Sequence, residues 1–164
     1  MTVTMETITI VAEDKEEKYK ELFPQIVALI SDERDIIANL ANISAALKTT
    51  FGSFSWVGFY RMENGELILG PFQGKVACVR IKIGRGVCGT AAKEKKTMLV
   101  PDVSKFSGHI ACDPESKSEI VVPIMAEGKL FGVLDIDSNM FNSFDGIDKV
   151  NLEKIAAIVA PKFV

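Results

Sequence analysis

The sequence predicts an α+β domain in which N- and C-terminal helices pack on one face of an antiparallel β-sheet. Apolar residues recur every three or four positions in residues 16–47 and again in 144–163, which is the helical period. Between these segments the pattern becomes strand-like, and Asn64-Gly65 and Glu127-Gly128 mark two hairpins. Because hairpins join antiparallel neighbours, we expect an antiparallel sheet with helices covering it.

The composition predicts one soluble globular domain. The chain has 164 residues, of which 48% are hydrophobic and 25% charged, and its net charge is -3. The acidic balance and the lack of a basic run argue against nucleic acid as a partner. No apolar run approaches the roughly 18 residues of a membrane helix, and the N-terminus does not resemble a signal peptide. We therefore expect a cytoplasmic protein, with an N-terminal arm at 1–15 and the domain at 16–164.

The N-terminal quarter of the chain leaves two questions open. Residues 1–12 fit either a disordered arm or an added edge strand. Residues 16–47 fit either two helices or one kinked helix, because the apolar period breaks near residues 31–35 and Pro24 disturbs it.

The middle of the chain is rich in strand signals. Residues 55–63 and 66–70 form the first predicted hairpin, and residues 75–84 form a third strand. In that strand Ala77, Val79 and Ile81 should alternate with Cys78, Arg80 and Lys82. A short helix at 84–96 and a brief strand at 97–103 follow.

The C-terminal part begins with a long polar loop at 105–118, and such loops inside compact domains are usually functional. The second hairpin spans 119–138. A closing amphipathic helix spans 144–163, and the apolar stripe predicted to face the core contains Ile147, Val150, Leu152, Ile155, Ala156 and Ile158.

Cysteine chemistry is the strongest functional signal. The chain has three cysteines, Cys78, Cys88 and Cys112, an odd number in a chain without secretory features. Redox chemistry with a nucleophile, a resolving thiol and a spare thiol explains this set better than a structural disulfide framework. There is no Cys-x-x-Cys pair of the thioredoxin or zinc type.

The individual cysteines allow competing interpretations. Cys88 lies where a glycine-rich segment enters a helix, and the helix dipole would favour its thiolate; the alternative is a small buried side chain. Cys112 lies on the loop, three residues after His109. A Cys-His pair could support hydrolase chemistry, but we favour His109 as a polar loop residue that hydrogen-bonds to the backbone. A zinc site from these four residues would have suitable ligands but unsuitable spacing, so we predict no metal.

Two acidic residues stand out near the end of the second hairpin. Asp135 and Asp137 alternate along a strand, so they should share a face with Phe131 and Val133. Unless a cation or a hydrogen-bond donor compensates, crowding of two carboxylates raises the pKa of at least one of them, which suits a site for an ammonium group or a proton. The alternative is that both lie where the strand frays into solvent. Glu119 opens the partner strand and could join them.

Two aromatic residues of the first strand form a second candidate feature. Trp56 and Tyr60 are four residues apart and should share a face with Gly58. Core packing would explain them. An aromatic wall that receives a methyl or sulfur group is the functional alternative.

Four segments together resemble a known family, the free methionine-(R)-sulfoxide reductases, which are single GAF domains. The segments are SWVGFY at 55–60, LILGPFQGKVACVRIKIGRGVCGTAA at 67–92, VPDVSKFSGHIACDPESKSEIVVPI at 100–124 and GVLDIDS at 132–138. The resemblance runs from about Trp56 to Phe144. It is specific because ordinary GAF sensors lack the three cysteines together with GHIACD.

The resemblance implies roles for eight residues. Cys112 would be the nucleophile, Cys78 the resolving thiol and Cys88 an auxiliary thiol, in spite of the dipole argument for Cys88. The substrate would be bound by carboxylates and aromatic residues, namely Glu119, Asp135, Asp137, Trp56 and Tyr60. The family further implies that no cofactor is needed, that thioredoxin is the reductant and that the protein is a homodimer.

Three other functions would fit parts of this pattern. A GAF sensor would bind a ligand without converting it, and a thiol switch would form a disulfide with peroxide without reducing a sulfoxide. A cysteine hydrolase would need no reductant. Dependence of turnover on a reductant separates these functions from a reductase.

Overall fold

The computed structural model describes residues 7–164, and they form an α+β domain. The sheet has six antiparallel strands in the order β3-β2-β1-β6-β5-β4. The helices and strands in chain order are α1 Lys15–Ser31, α2 Ile36–Thr50, β1 Trp56–Glu63, β2 Glu66–Gln73, β3 Arg80–Lys82, α3 Gly86–Glu94, β4 Met98–Val100, β5 Ser118–Ala126, β6 Lys129–Ser138 and α4 Gly146–Val159. The predicted fold class is confirmed.

The first two helices are separate. Each begins at an aspartate, Asp14 or Asp35, whose side chain accepts hydrogen bonds from backbone N–H groups of the first turn. Pro24 lies inside α1 without ending it. The break in apolar period near residues 31–35 is therefore the end of one helix and the capped start of the next.

The segment before α1 is neither a strand nor a free arm over the part described. Residues 7–13 have no regular secondary structure. The Thr9 backbone and the Gln25 side chain exchange two hydrogen bonds, of 2.8 and 2.7 Å. Ile8 and Ile10 pack against the core. Residues 1–6 lie outside the described residues, and the domain boundary at 15/16 stays a prediction.

The main core lies between one sheet face and the helices α1, α2 and α4. On the sheet side it includes Val57 and Phe59 of β1, and the terminal helices cover this face as predicted. The predicted stripe of α4 is only partly right, because Ile147 and Val150 are exposed while Val159 is buried. With 3.6 residues per turn, Ile147 and Val150 lie on the side of α4 that faces away from the sheet.

The opposite sheet face carries α3 and the loop between β4 and β5. Its smaller apolar cluster includes Trp56, Tyr60, Val121 and Cys88. No helix within residues 7–164 is both long enough and apolar enough to cross a membrane. The division into two faces matters because the candidate site forms only on the second one.

The predicted third strand is much shorter than expected. Only Arg80–Lys82 pairs with β2, and residues 75–79 are irregular. Two carbonyl groups of this segment are occupied by side chains of β1 instead of a strand neighbour. Trp56 Nε1 donates to Lys75 O, and the Tyr60 hydroxyl donates to Cys78 O, each at 3.0 Å. Alternation therefore fails before Arg80.

A register shift corrects one further prediction. Between Ile124 and Met125 of β5 the pairing skips Phe131 on β6. Phe131 consequently packs with the main core, whereas Val133 packs on the opposite face. The prediction that Phe131 shares the face of Asp135 and Asp137 is wrong, because a β-bulge reverses the alternation there.

Candidate active site

Strand register assembles the centre of the site. Trp56 on β1 pairs with Asp137 on β6, and Asp137 pairs with Glu119 on β5. Two residues along, Gly58 pairs with Asp135. Directly paired residues in an antiparallel sheet point to the same face, so Glu119, Asp135 and Asp137 converge on the second face. The two hairpins that carry them could be predicted from sequence, but their adjacency could not.

The three carboxylates are poorly hydrated. Glu119 and Asp135 are each only 6% exposed, and Asp137 is partly buried. The Ser116 hydroxyl donates to Asp137 Oδ1 at 2.6 Å. Asp135 Oδ1 is buried without a hydrogen-bond partner. The alternative that these residues fray into solvent is wrong, and the orphaned oxygen leaves an acceptor available for a ligand.

Burial is the main cause of raised pKa values in this cluster. It raises the pKa of Asp135 to about 6. The pKa of Glu119 is raised by burial and then by the nearby charges of Asp135 and Asp137. The pKa of Asp137 is raised by burial and by Asp135, and the hydrogen bond from Ser116 opposes this. All three carboxyl groups therefore have raised pKa values, which favours a shared role as a proton donor and as a partner for a cation.

Cys88 is buried beside these acids. Its Sγ lies 3.9 Å from Glu119 Oε1. Burial raises the pKa of the Cys88 thiol, and the charges of Asp135 and Glu119 raise it further. The expectation that the start of α3 favours a thiolate is wrong, because desolvation and two neighbouring carboxyl groups outweigh the helix dipole.

The other two cysteines are joined to each other. A disulfide links Cys78 and Cys112, which are 34 residues apart, with Cα atoms separated by 5.8 Å. Cys112 is exposed and Cys78 is half-buried. The bond attaches the irregular segment before β3 to the long loop before β5, beside the carboxylate cluster.

Aromatic side chains form one wall of the site. The rings of Trp56 and Tyr60 lie 6.1 Å apart between centroids, and Phe72 of β2 stacks on Trp56 at 5.2 Å. Trp56 and Tyr60 are buried and face the same cavity. Burial and the nearby carboxylates raise the pKa of Tyr60, so its hydroxyl stays a donor to Cys78 O. These residues both line the site and hold the Cys78 segment.

His109 reaches the acids from the loop. Its Nε2 lies 3.9 Å from Glu119 Oε2, and burial lowers the pKa of the imidazole. Our preferred interpretation, a side chain bound to backbone, is replaced by this approach to Glu119. The Cys112 sulfur is bonded to Cys78, so Cys112 and His109 do not form a hydrolase pair in this structure.

Sequence reasoning missed several contributors. Ser116 binds Asp137 and Phe72 supports Trp56, yet a serine in a polar loop and a phenylalanine in a strand carry no distinctive signal. Across the cavity mouth, Lys75 forms an ion pair with Glu115 and lies 3.7 Å from Asp113. These contacts depend on which loop folds over which strand.

One trio could hold a metal ion. Single ligand atoms of Cys88, Glu119 and Asp135 lie within 4.8 Å of one another. A thiolate with carboxylates suits a divalent cation such as Zn²⁺. The zinc set considered from sequence does not assemble in this form, because Cys78 and Cys112 are bonded to each other. The expectation of no metal stays a prediction.

The cavity beside the disulfide is small. Its volume is about 50 Å³, and its lining includes Trp56, Glu119, Asp135, Asp137 and Cys112. Small-molecule sites usually measure at least about 300 Å³. With the disulfide closed, the loop therefore leaves little room over the carboxylates.

Comparisons with known proteins show the family of this chain. Residues 35–161 match the GAF domain family. The chain is 46% identical over 144 residues to the free methionine-R-sulfoxide reductase of Escherichia coli (strain K12), covering 88% of this chain and 87% of that protein. It is 48% identical over 154 residues to the enzyme of that name from Saccharomyces cerevisiae, covering 89% and 86%.

Among solved structures, the free methionine-R-sulfoxide reductase from Neisseria meningitidis in complex with its substrate is similar throughout. The TM-score is 0.94 at 46% identity, and the match covers 97% of this chain and 96% of that one.

Proposed function

Because this chain belongs to the free methionine-R-sulfoxide reductases, oxidoreductases built on a GAF domain, we propose that it reduces free methionine-(R)-sulfoxide to methionine. The observation that carries this proposal is the meeting of three carboxyl groups, from Glu119, Asp135 and Asp137, in a cavity that is also lined by Cys112, the disulfide partner of Cys78. The substrate has a cationic ammonium group and a basic sulfoxide oxygen. The cluster offers a partner for each.

Substrate binding uses the aromatic wall and two of the acids. Trp56 and Tyr60 provide an apolar, polarisable surface for the methyl and sulfur end. Asp135, with its unpartnered Oδ1, and Asp137 accept the ammonium group. A methionine sulfoxide inside a peptide has no such ammonium, so its binding would leave these carboxyl groups unpaired. This accounts for selection of the free amino acid.

The chemical step begins when the Cys112 thiolate attacks the sulfoxide sulfur. A carboxylic acid protonates the oxygen, and Glu119 suits this role because burial and its acidic neighbours raise its pKa. The oxygen is transferred to Cys112 as a sulfenic acid, and methionine leaves with its sulfur reduced by two electrons. The exposed position of Cys112 on the loop lets substrate reach it.

The second step closes the disulfide. The Cys78 thiol attacks the sulfenic acid of Cys112, the S–S bond forms and water leaves. The structure has this pair bonded and Cys88 reduced and buried, which supports Cys78 as the resolving thiol and Cys88 as an auxiliary one.

Three wider proposals come from the family. Thioredoxin, a dithiol protein, would reduce the Cys78–Cys112 bond. The exposed position of Cys112 in this chain supports this proposal. We keep the homodimer and the cytoplasmic location as proposals. Light scattering on the purified protein tests the first of these, and fractionation of cells tests the second.

The deciding experiment measures methionine formed from free methionine-(R)-sulfoxide with dithiothreitol as reductant. We expect turnover that requires the reductant, and no turnover of the S epimer. Cys112→Ser should abolish even a single turnover, whereas Cys88→Ser should retain it. The reverse result for these two variants would overturn the assignment of Cys112. Binding without methionine formation would instead indicate a sensor.

A further inference from the structure

The surface around the Cys78–Cys112 disulfide carries exposed apolar side chains, of which Val76 and Ile110 also line the edge of the cavity and Val79 does not. Three aliphatic side chains near the two cysteines are turned to solvent: Val76 is 89% exposed, Val79 61% and Ile110 38%. They lie two residues before Cys78, one after it, and two before Cys112. Single exposed apolar side chains are ordinary, but a group surrounding a reactive bond is a candidate contact surface.

Three hydrogen bonds attach this segment to the neighbouring strands. Carbonyl groups of Lys75 and Cys78 accept hydrogen bonds from Trp56 and Tyr60, and Val79 O accepts one from Leu69 N at 2.9 Å. The backbone between residues 75 and 79 is therefore fixed to strands β1 and β2. Val76 and Val79 gain no burial within the described chain from this arrangement.

We propose that Val76, Val79 and Ile110 form an apolar rim on which a dithiol oxidoreductase docks while it reduces the Cys78–Cys112 disulfide. The proposal rests on the proposed function only in that the disulfide must be reduced once per turnover. A protein thiol can attack a disulfide only if the surface around that thiol meets the surface around the bond. The rim is what such a partner would touch.

The chemistry of the exchange selects the class of partner. A thiolate of the partner attacks the sulfur of Cys112, the more exposed of the two residues, and Cys78 leaves as a thiolate. The partner's second thiol attacks the mixed disulfide and releases Cys112. Two electrons pass from the dithiol to the Cys78–Cys112 pair, and the partner becomes a disulfide.

Charge favours an apolar contact over an ionic one. Charged residues close to the rim pair with each other: Lys75 with Glu115 and Asp113, and Arg80, next to Val79, with Glu66. The partner therefore needs an apolar surface around its thiol, and salt should weaken the encounter little. A small dithiol such as dithiothreitol has no such surface and does not use the rim.

The test compares two reductants on Val79→Asp and Val76→Asp. Oxidised protein is mixed with thioredoxin or with dithiothreitol, and free thiols are counted by alkylation and mass spectrometry. We expect the second-order rate with thioredoxin to fall about tenfold or more, and the rate with dithiothreitol to change less than twofold. Val150→Asp on α4, where the valine is 51% exposed, is the matched control and should change neither rate.

The possible outcomes are distinct. Equal losses with both reductants would mean that the substitutions disturb the disulfide itself, and unchanged rates with both would mean that the rim is not a docking surface. Either result overturns the proposal. Because thiol formation is counted without methionine sulfoxide, the test stands even if sulfoxide turnover fails. Failure of the proposed function and failure of the rim therefore give different results.

Discussion

Single side chains decide how this site handles protons. Glu119 is the proposed acid, and its pKa is raised by burial and by Asp135 and Asp137. Since the protonated form is the active one, kcat should fall as the pH rises through the pKa of Glu119. Glu119→Gln keeps the shape but supplies no acidic proton, so we expect kcat to fall about 10²–10⁴-fold and this pH dependence to disappear.

Rapid-quench measurement of the first methionine formed checks this prediction. Asp137→Asn is the comparison, because loss of an ammonium partner should mainly raise KM. An unchanged kcat in Glu119→Gln would assign the proton to another group.

The pKa of Asp135 also predicts how stability depends on pH. Burial raises this pKa from 3.8 to about 6, so the folded state binds the proton more tightly than the unfolded state. The resulting stabilisation is complete below about pH 3.8 and is lost as the pH rises through about 6. In Asp135→Asn the free energy of unfolding should fall less as the pH rises. At pH 7.5 the variant should be more stable than the wild type by roughly 1–3 kcal/mol.

Urea unfolding of the oxidised protein between pH 5 and 7.5 measures the effect while the disulfide state is fixed. Parallel stability curves for wild type and Asp135→Asn would contradict the assigned shift. Glu119 and Asp137 have raised pKa values too, so part of the slope should remain in the variant.

The side chains around Gly58 leave no space for a Cβ atom at this position. A Cβ atom at this position would lie under 3.0 Å from Phe72 Cβ and from two ring atoms of Trp56. Gly58→Ala should displace the Trp56 ring, cost about 1–3 kcal/mol of stability and raise KM. Unfolding and steady-state kinetics test this together. Gly52→Ala is the control, because nothing lies within 4 Å of a Cβ atom there.

At the scale of elements, a buried polar contact joins the two ends of the chain. Asp148 of α4 is fully buried, accepts a hydrogen bond from the Tyr19 hydroxyl at 2.8 Å and pairs with Lys15 Nζ at 2.6 Å. Tyr19→Phe should cost about 1.5–3 kcal/mol, since it removes a hydrogen bond to a charged group. Chemical denaturation measures it, and kcat should not change because α1 and α4 lie on the other sheet face.

Sequence patterns predicted the helices and strands more reliably than they predicted the contacts between them. The hairpins, the helices and the short α3 follow directly from periodicity and turn residues. The third strand was predicted too long because side chains of Trp56 and Tyr60 occupy carbonyl groups that a strand would have used. The face of Phe131 was wrong because a bulge opposite Met125 is not visible in the apolar pattern.

For the whole molecule, the disulfide links redox state to the shape of the site. In the bonded form the cavity measures about 50 Å³ under the loop. We expect the reduced protein to bind free methionine sulfoxide much more tightly than the oxidised protein. Calorimetry on Cys112→Ser, which cannot close the bond, compared with oxidised wild type tests this. Equal affinities would mean that the loop does not restrict entry.

Reduction should also lower global stability. The bond closes a loop between residues 34 positions apart, for which chain entropy predicts a stabilisation of about 3–4 kcal/mol. Unfolding of wild type with and without a phosphine reductant measures the difference. Cys88→Ser should behave as wild type in this comparison, because Cys88 is free.

The sequence by itself determined the fold class, the order of the elements and the residue types available for redox chemistry, because periodicity, turn residues and cysteines act locally. It also carried the family resemblance. Only the tertiary structure decided which acids meet, that Cys88 is desolvated beside them, and that Cys78 and Cys112 are close enough to bond. Those outcomes depend on strand register, burial and loop placement, which are set by contacts between residues far apart in the chain.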